Sequence, residues 1–328
     1  MVVSYPPRLG RERKDLARRN SKSTGRLWRL LYAPAKINLS LRIIGRRSDG
    51  YHLLDSVMLP LDLCDRVRVE LSVRRGIRLS CPGFASLEGR DNLAWRAADL
   101  YLRHSRWPVG VKITLGKKIP LAAGLGGASS DAAAVLRALD QMNPAPLGDK
   151  SLYLLAEELG ADVPFFLKAS PCRAQGVGNV LFPLRLRYRP WVLLACAPFG
   201  LLTKEVYHRY DQLAPKPGSF KKRLTPTGDG AIKPSPVRPA GVELFAAAWR
   251  NDLQQAAISL APAIEDVVSA LRRAGVKAAR LTGSGPTVFG LCRTEAKARK
   301  TADCARLPSG WKIIICRVLN TGGAQETH

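Results

Sequence analysis

Apolar and polar side chains alternate through "APAKINLSLRIIG" (33–45), the period of two that a strand with one buried face requires. A turn signal at Asp49-Gly50 follows, and strand pattern resumes through "YHLLDSVMLPLDLCDRVRVELSV". The period then lengthens. "RDNLAWRAADLYLRHS" sets Leu93, Ala94, Ala97, Leu100 and Tyr101 on one helical face, with Asp91 or Asn92 at its cap. "GVKITLGKKIP" reads as a strand and "DAAAVLRALD" as a helix. "SLYLLAEELG" predicts a helix stopped by Gly160, then a short polar turn. Strand-like segments continue to about residue 200, among them a buried strand in "WVLLACAPFGLL" (191–202), which Pro198 and Gly200 break. Residues 211–241 are crowded with Pro, Gly and Lys and predict a flexible insertion. Beyond it come a mostly helical stretch (242–275), strand–turn–strand in "AARLTGSGPTVFGLC", a helix over 294–304 and a last strand over 311–319. Strands and helices alternate irregularly, without an internal repeat.

Length and composition sharpen this picture. A chain of 328 residues exceeds one small core, so two domains are expected. With 46% hydrophobic and 24% charged residues it reads as a soluble globular protein, and no apolar run approaches the roughly 18 residues of a membrane span. The net charge of +26 suits anionic partners: nucleic acid, acidic membrane or phosphorylated metabolites. Part of that excess is local. Residues 1–30 carry nine basic and two acidic side chains with almost no apolar periodicity, so residues 1–29 are expected to be a disordered basic tail. A transit peptide, a nucleic-acid-binding arm or an untranslated extension would each look like this. The seven cysteines lack any C-x-x-C pair and read as reduced, buried thiols of a cytoplasmic protein. The four histidines have no zinc-type spacing.

Candidate chemistry centres on "PLAAGLGGASSDAAAVLRAL" (120–139), a glycine-rich turn running into a helix. Glycine admits positive φ and close backbone approach, and a helix N-terminus offers unpaired N–H groups with partial positive charge. Together these make a phosphate cradle. Ser129 or Ser130 is expected to cap the helix and to reach a phosphate or magnesium ion. The Walker pattern is absent, and G-x-G-x-x-G is spoiled by Ser129. An ordinary strand–turn–helix joint remains the alternative for the loop alone. Three other stretches weigh against it. Lys36 and Asn38 interrupt an apolar strand; Asp162 follows a helix end as a general base or a mere cap; "LTGSGPTVFGL" (281–291) forms a second glycine turn.

In this order, "PAKINLSL", "RRSDGYHLLDSVM", "DNLAWRAA", "KKIPLAAGLGGASSDAAAVL", "LGADVPFF", "GVG" and "LTGSGPTVF" resemble the GHMP superfamily of small-molecule kinases. Within it they are most similar to the kinases of 4-diphosphocytidyl-2-C-methyl-D-erythritol, in the non-mevalonate isoprenoid pathway. "DGYHLL" and "LGADVPF" discriminate, because the glycine loop is common to the superfamily. The resemblance implies an α+β fold of two domains: an N-terminal GHMP domain over 30–185 holding the nucleotide loop, and a ferredoxin-like C-terminal domain over 186–320. It implies ATP with Mg2+, bound by Pro120, Leu121, Ala122, Ala123, Gly124, Leu125, Gly126, Gly127, Ala128, Ser129 and Ser130, with Asn92 near the adenine. Ala122, Ala123 and Ala128 stand where the family favours glycine, so positive φ at any of them means strain. Asp162 corresponds to the catalytic base and Lys36 to the lysine beside it. For the substrate the resemblance implies Asn38 as a contact, Tyr51 and Tyr207 as the aromatic walls for cytosine, His52 at its polar edge, Thr203, and the turn Gly283, Ser284 and Gly285. No second carboxylate near the loop suggests itself as a magnesium ligand. The expected partners are the cytidylated substrate and ATP, without membrane, in a monomer or homodimer. The expected compartment is the cytoplasm, or a plastid if the tail is a transit peptide. Homoserine or mevalonate kinases, which lack "DGYH", are the nearest alternative. A nucleic-acid-binding protein is a more distant one, unsupported by any recognition helix.

Overall fold

The computed structural model describes residues 2–4, 27–186, 188–213 and 249–319. Its backbone is a long hairpin of β2 (Trp28–Arg46) and β3 (His52–Ser72), paired antiparallel from Trp28↔Glu70 to Arg46↔His52. Gly50, at φ +91°, makes the turn that Asp49-Gly50 predicted. The far edge of β3 is shared. Its C-terminal half pairs with β5 (Gly110–Gly116), and its N-terminal half with β6 (Cys172–Gly176). β4 (Gly76–Ser80) lies parallel to β5, and β7 (Val180–Pro183) closes the sheet beyond β6.

Four helices cover this sheet: α1 (Leu93–Ser105), α2 (Gly127–Met142), α3 (Gly148–Leu159) and α4 (Val163–Lys168). Ala94, Ala97, Ala132, Val135 and Leu136 pack with Val67, Val69, Ile113 and Leu115. The small alanine side chains let α1, α2 and the sheet approach closely. Asn92 caps α1, accepting from the Ala94 N–H at 2.9 Å. Gly160 ends α3 as expected, but the polar turn predicted after it is the short helix α4.

The second sheet has the order β1-β11-β8-β10-β9, formed by β8 (Trp191–Cys196), β9 (Arg280–Leu281), β10 (Val288–Cys292), β11 (Lys312–Arg317) and β1 (Val2–Ser4). Around it lie α5 (Thr203–Leu213), α6 (Gln254–Leu260), α7 (Ala263–Arg273) and α8 (Glu295–Cys304). Alternation along β8 explains the layering. Val192, Leu194 and Cys196 face Ala35, Ile37, Leu39, Leu59 and Leu61 of the hairpin, while Leu193 and Ala195 face the helices. The two sheets therefore share a core through β2 and β3.

Two expectations need correction. The stretch 1–29, expected as a disordered tail, holds strand residues: Val2–Ser4 pairs parallel with Ile313–Ile315, and β2 begins at Trp28. The insertion foreseen over 211–241 starts late, since α5 runs through Leu213; its remainder lies outside the described residues. None of the described cysteines forms a disulfide, and all are buried except Cys304, which is exposed. Among the described residues, no helix is long and apolar enough to cross a membrane.

Candidate active site

The glycine loop places the N-terminus of α2 between the two sheets. Gly126 is the N-cap residue, in the left-handed region at φ +72°, and no side chain caps the helix. Ser129 and Ser130 lie inside its first turn, so the expected serine cap is not made. The first intrahelical bond of this end is Ser130 N–H to Gly126 O, 2.9 Å. The preceding N–H groups are left for a ligand. A Cβ on Gly124 would come within 2.7 Å of the Thr282 carbonyl oxygen, and one on Gly126 within 2.7 Å of the Phe166 ring. Glycine is required at both by packing as well as by φ. Of the three alanines that replace glycine, only Ala122 has positive φ, +49°. An L-residue there costs about 1–2 kcal/mol, partly offset by the entropy glycine loses on folding. Ala122→Gly is accordingly expected to raise stability by about 0.5–1 kcal/mol; a lower urea midpoint would contradict it.

The period of two in β2 decides where Lys36 and Asn38 point. Ala35, Ile37 and Leu39 enter the shared core, so Lys36 and Asn38 project from the opposite face. Lys36, only 4% exposed, donates to Asn38 Oδ1 at 2.6 Å and lies 3.5 Å from Asp162 Oδ2. Asn38 donates through Nδ2 to Ser56 Oγ and through its backbone N–H to Thr282 Oγ1, 2.8 Å each. Asp162 occupies the N-cap position of α4, yet its side chain makes no cap bond. Its carboxylate turns to Lys36 instead, which excludes the simple capping role. The second glycine turn closes over this pair: a Cβ on Gly283 would lie 3.5 Å from Lys36 Nζ. Asn251 holds that turn, donating to Leu281 O and Gly283 O at 2.9 and 2.8 Å.

At the other end stand the aromatic residues. Tyr51, at the hairpin turn, is 64% exposed. His52 packs against Tyr207 of α5, with ring centroids 4.9 Å apart. Burial pushes the Tyr207 hydroxyl pKa up, and the negative charge of Asp162 adds to it. Thr203 Oγ1 and Ser284 Oγ share a hydrogen bond of 3.0 Å, joining α5 to the second glycine turn.

One buried cluster escaped the sequence. Lys117, just after β5, is bonded to Asp65 of β3 and, at 2.6 Å, to Asp131 of α2. Asp65 also accepts the N–H groups of Lys118 and Ile119, at 2.5 and 2.9 Å. Burial alone would lower the Lys117 pKa, but the two carboxylates outweigh it and raise it. Asp131 is pushed up to about 7, by burial first and then by Asp65, against the pull of Lys117. Its Oδ1, like Ser130 Oγ, has no protein partner among the described residues. The cluster ties α2 to β3 and β5 and so orients the loop.

The glycine loop, Lys36, Asn38, Asp162, the aromatic residues Tyr51, His52 and Tyr207, and Lys117 with Asp131 line one cavity of about 1090 Å³. Every candidate residue named from the sequence borders it except Ser130 and Gly285. Ser130 is buried inside α2, and Gly285 packs on Leu281. Asn92 borders the cavity while capping α1. Lys117, Asp131, Ser56 and Asp211 line it without having been foreseen. The volume lies at the upper end of the range of ordinary ligand pockets.

Comparison with known proteins shows the family. Residues 92–170 match the GHMP kinases N terminal domain, and residues 241–307 match the GHMP kinases C terminal. A 4-diphosphocytidyl-2-C-methyl-D-erythritol kinase of Citrifermentans bemidjiense is 37% identical over 88% of this chain and 98% of its own. A crystal structure of 4-(cytidine 5'-diphospho)-2C-methyl-D-erythritol kinase superimposes with a TM-score of 0.70 at 36% identity, covering 88% of this chain and 99% of that one. The homoserine kinase of Cytophaga hutchinsonii shares the fold, with a TM-score of 0.67 at 18% identity over 92% of this chain and 96% of that one. By its sequence, its two-sheet architecture and the cleft between them, the chain belongs to the 4-diphosphocytidyl-2-C-methyl-D-erythritol kinase family of GHMP kinases.

Proposed function

We propose that the chain transfers the γ-phosphoryl group of ATP to the tertiary 2-hydroxyl of 4-diphosphocytidyl-2-C-methyl-D-erythritol, a step of non-mevalonate isoprenoid synthesis. One observation carries this reading. The Lys36–Asp162 pair, the uncapped start of α2 and the aromatic residues Tyr51 and Tyr207 all border the same cavity.

The N–H groups at the start of α2 and the loop from Pro120 to Ser129 hold the nucleotide phosphates through backbone dipoles, without a Walker lysine. Asp162 takes the proton of the attacking hydroxyl as that oxygen bonds to phosphorus and ADP leaves. Lys36, held by Asn38, stabilises the negative charge developing on the oxygen. A tertiary hydroxyl is a poor acid, so most of the acceleration comes from positioning and charge stabilisation. Tyr51 and Tyr207 cover the faces of the cytosine, His52 meets its polar edge, and Thr203 and Ser284 border the sugar-phosphate side.

The Ser129 hydroxyl, which borders the cavity at the start of α2, would be the protein donor to a magnesium ion bound with the nucleotide, and that ion would neutralise phosphate charge. We place the reaction in the cytoplasm, in keeping with the bacterial relatives.

ATP consumption with the cytidylated substrate, beside homoserine and mevalonate, tests the assignment. Turnover with the cytidylated alcohol alone is expected. Preference for another alcohol would keep the fold and overturn the cytidine pocket.

A further inference from the structure

The transfer chemistry leaves one contact of the cleft unused. Asp211, near the end of α5, is 2.8 Å from His52 Nε2 and 3.4 Å from an Arg46 guanidinium nitrogen. The His52 side chain is only 10% exposed. Tyr207 covers its face at 4.9 Å, and Tyr210 meets it edge-on at 6.0 Å. The ring is thus held by three residues of α5, while His52 itself belongs to the hairpin. A carboxylate oxygen only accepts, so the nitrogen facing it must carry the hydrogen. In the neutral ring this leaves Nδ1 as the lone-pair nitrogen. Among the described residues Nδ1 has no hydrogen-bond partner.

We propose that Asp211 is a positioning residue that fixes the His52 tautomer, so that Nδ1 accepts from the exocyclic amino group of a cytosine ring and rejects a uracil ring. This rests on the reading that His52 meets the polar edge of the base. Where cytosine offers an amino donor, uracil offers a carbonyl oxygen. That oxygen sets lone pair against lone pair and leaves Nδ1 unpaired once the base covers it. An unpaired buried polar group of this kind costs roughly tenfold to hundredfold in kcat/KM.

The test compares wild type with Asp211→Asn on the cytidylated substrate and its uridylated analogue, with 15N NMR of the His52 ring. Wild type is expected to prefer cytidine at least tenfold, with Nδ1 unprotonated in the spectrum. The asparagine amide either accepts from Nε2 or donates to it, so the tautomer is no longer fixed. The variant is expected to lose most of the preference through a higher KM for the cytidylated substrate, with kcat at saturation and the KM for ATP retained, and its Nδ1 signal is expected to move toward the protonated position. A merely structural tie between α5 and the hairpin would raise KM for both bases equally and would overturn the inference. So would equal use of both bases by wild type. Failure of wild type on both nucleotides, with homoserine or mevalonate turned over instead, would sink the functional reading; the NMR signal would still report the tautomer separately.

Discussion

Asp162→Asn is expected to lower kcat by roughly 10²–10⁴ while leaving the KM for ATP nearly unchanged. The substitution keeps shape and approximate volume but removes the carboxylate that we propose accepts the hydroxyl proton. The α4 start should survive, because the Asp162 side chain makes no cap bond there. Nor does it anchor the phosphate loop, whose glycines pack on Phe166 and on the Thr282–Gly285 turn. The loss therefore falls on chemistry and not on nucleotide binding. Lys36→Met is expected to give a loss of similar size. The double variant should lose little more, since the two side chains act together across 3.5 Å. Steady-state kinetics with the cytidylated substrate decide the point. A kcat near wild type in Asp162→Asn would remove Asp162 as the base and leave positioning alone to account for the rate.

Lys117→Met is the largest expected effect on stability. Lys117 stands between Asp65, fully buried, and Asp131, 2% exposed. Removing it leaves two carboxylates facing each other in the interior, at a cost of about 3–5 kcal/mol. A urea titration would read this as a lower midpoint at unchanged slope. Asp131→Asn keeps the Lys117–Asp65 pair and relieves the repulsion between the carboxylates, so its cost should stay near 1 kcal/mol. The two substitutions also differ in pH dependence. Burial raises Asp131 from 3.8 to about 7, so the folded state binds its proton more tightly than the unfolded chain does. Relative to Asp131→Asn, wild type should lose stability as pH rises through that window. The deficit of Lys117→Met should narrow as pH falls, because protonation removes the charge left unpaired. Equal midpoints for Lys117→Met and wild type would show that the cluster contributes nothing to the orientation of α2.

Local pattern alone carried several parts of the site. Alternation in "APAKINLSL" already separates Lys36 and Asn38 from Ala35, Ile37 and Leu39, because successive strand side chains take opposite faces. The cap at Asn92, the stop at Gly160 and the hairpin turn at Gly50 follow from backbone preferences that act over a few residues. The glycine loop announced a helix N-terminus open to an anion for the same reason. Two local readings failed where tertiary packing overrode them. Serine was expected to cap α2, but the loop must turn back against Thr282 and Phe166, and only glycine at 126 accepts that path. Ala122 takes a left-handed φ that its side chain disfavours. Tertiary structure alone decided the charge pairing. Asp65 and Lys117 are 52 positions apart, and His52 and Asp211 are 159 apart. Strand register and helix docking bring such groups together, and hydrophobic period specifies which face a side chain takes without specifying its neighbour across the cleft. The sequence by itself thus determined most of the elements, the family and the candidates Lys36 and Asp162. The positioning of that pair, and of His52, arose only when the second sheet packed against β2 and β3.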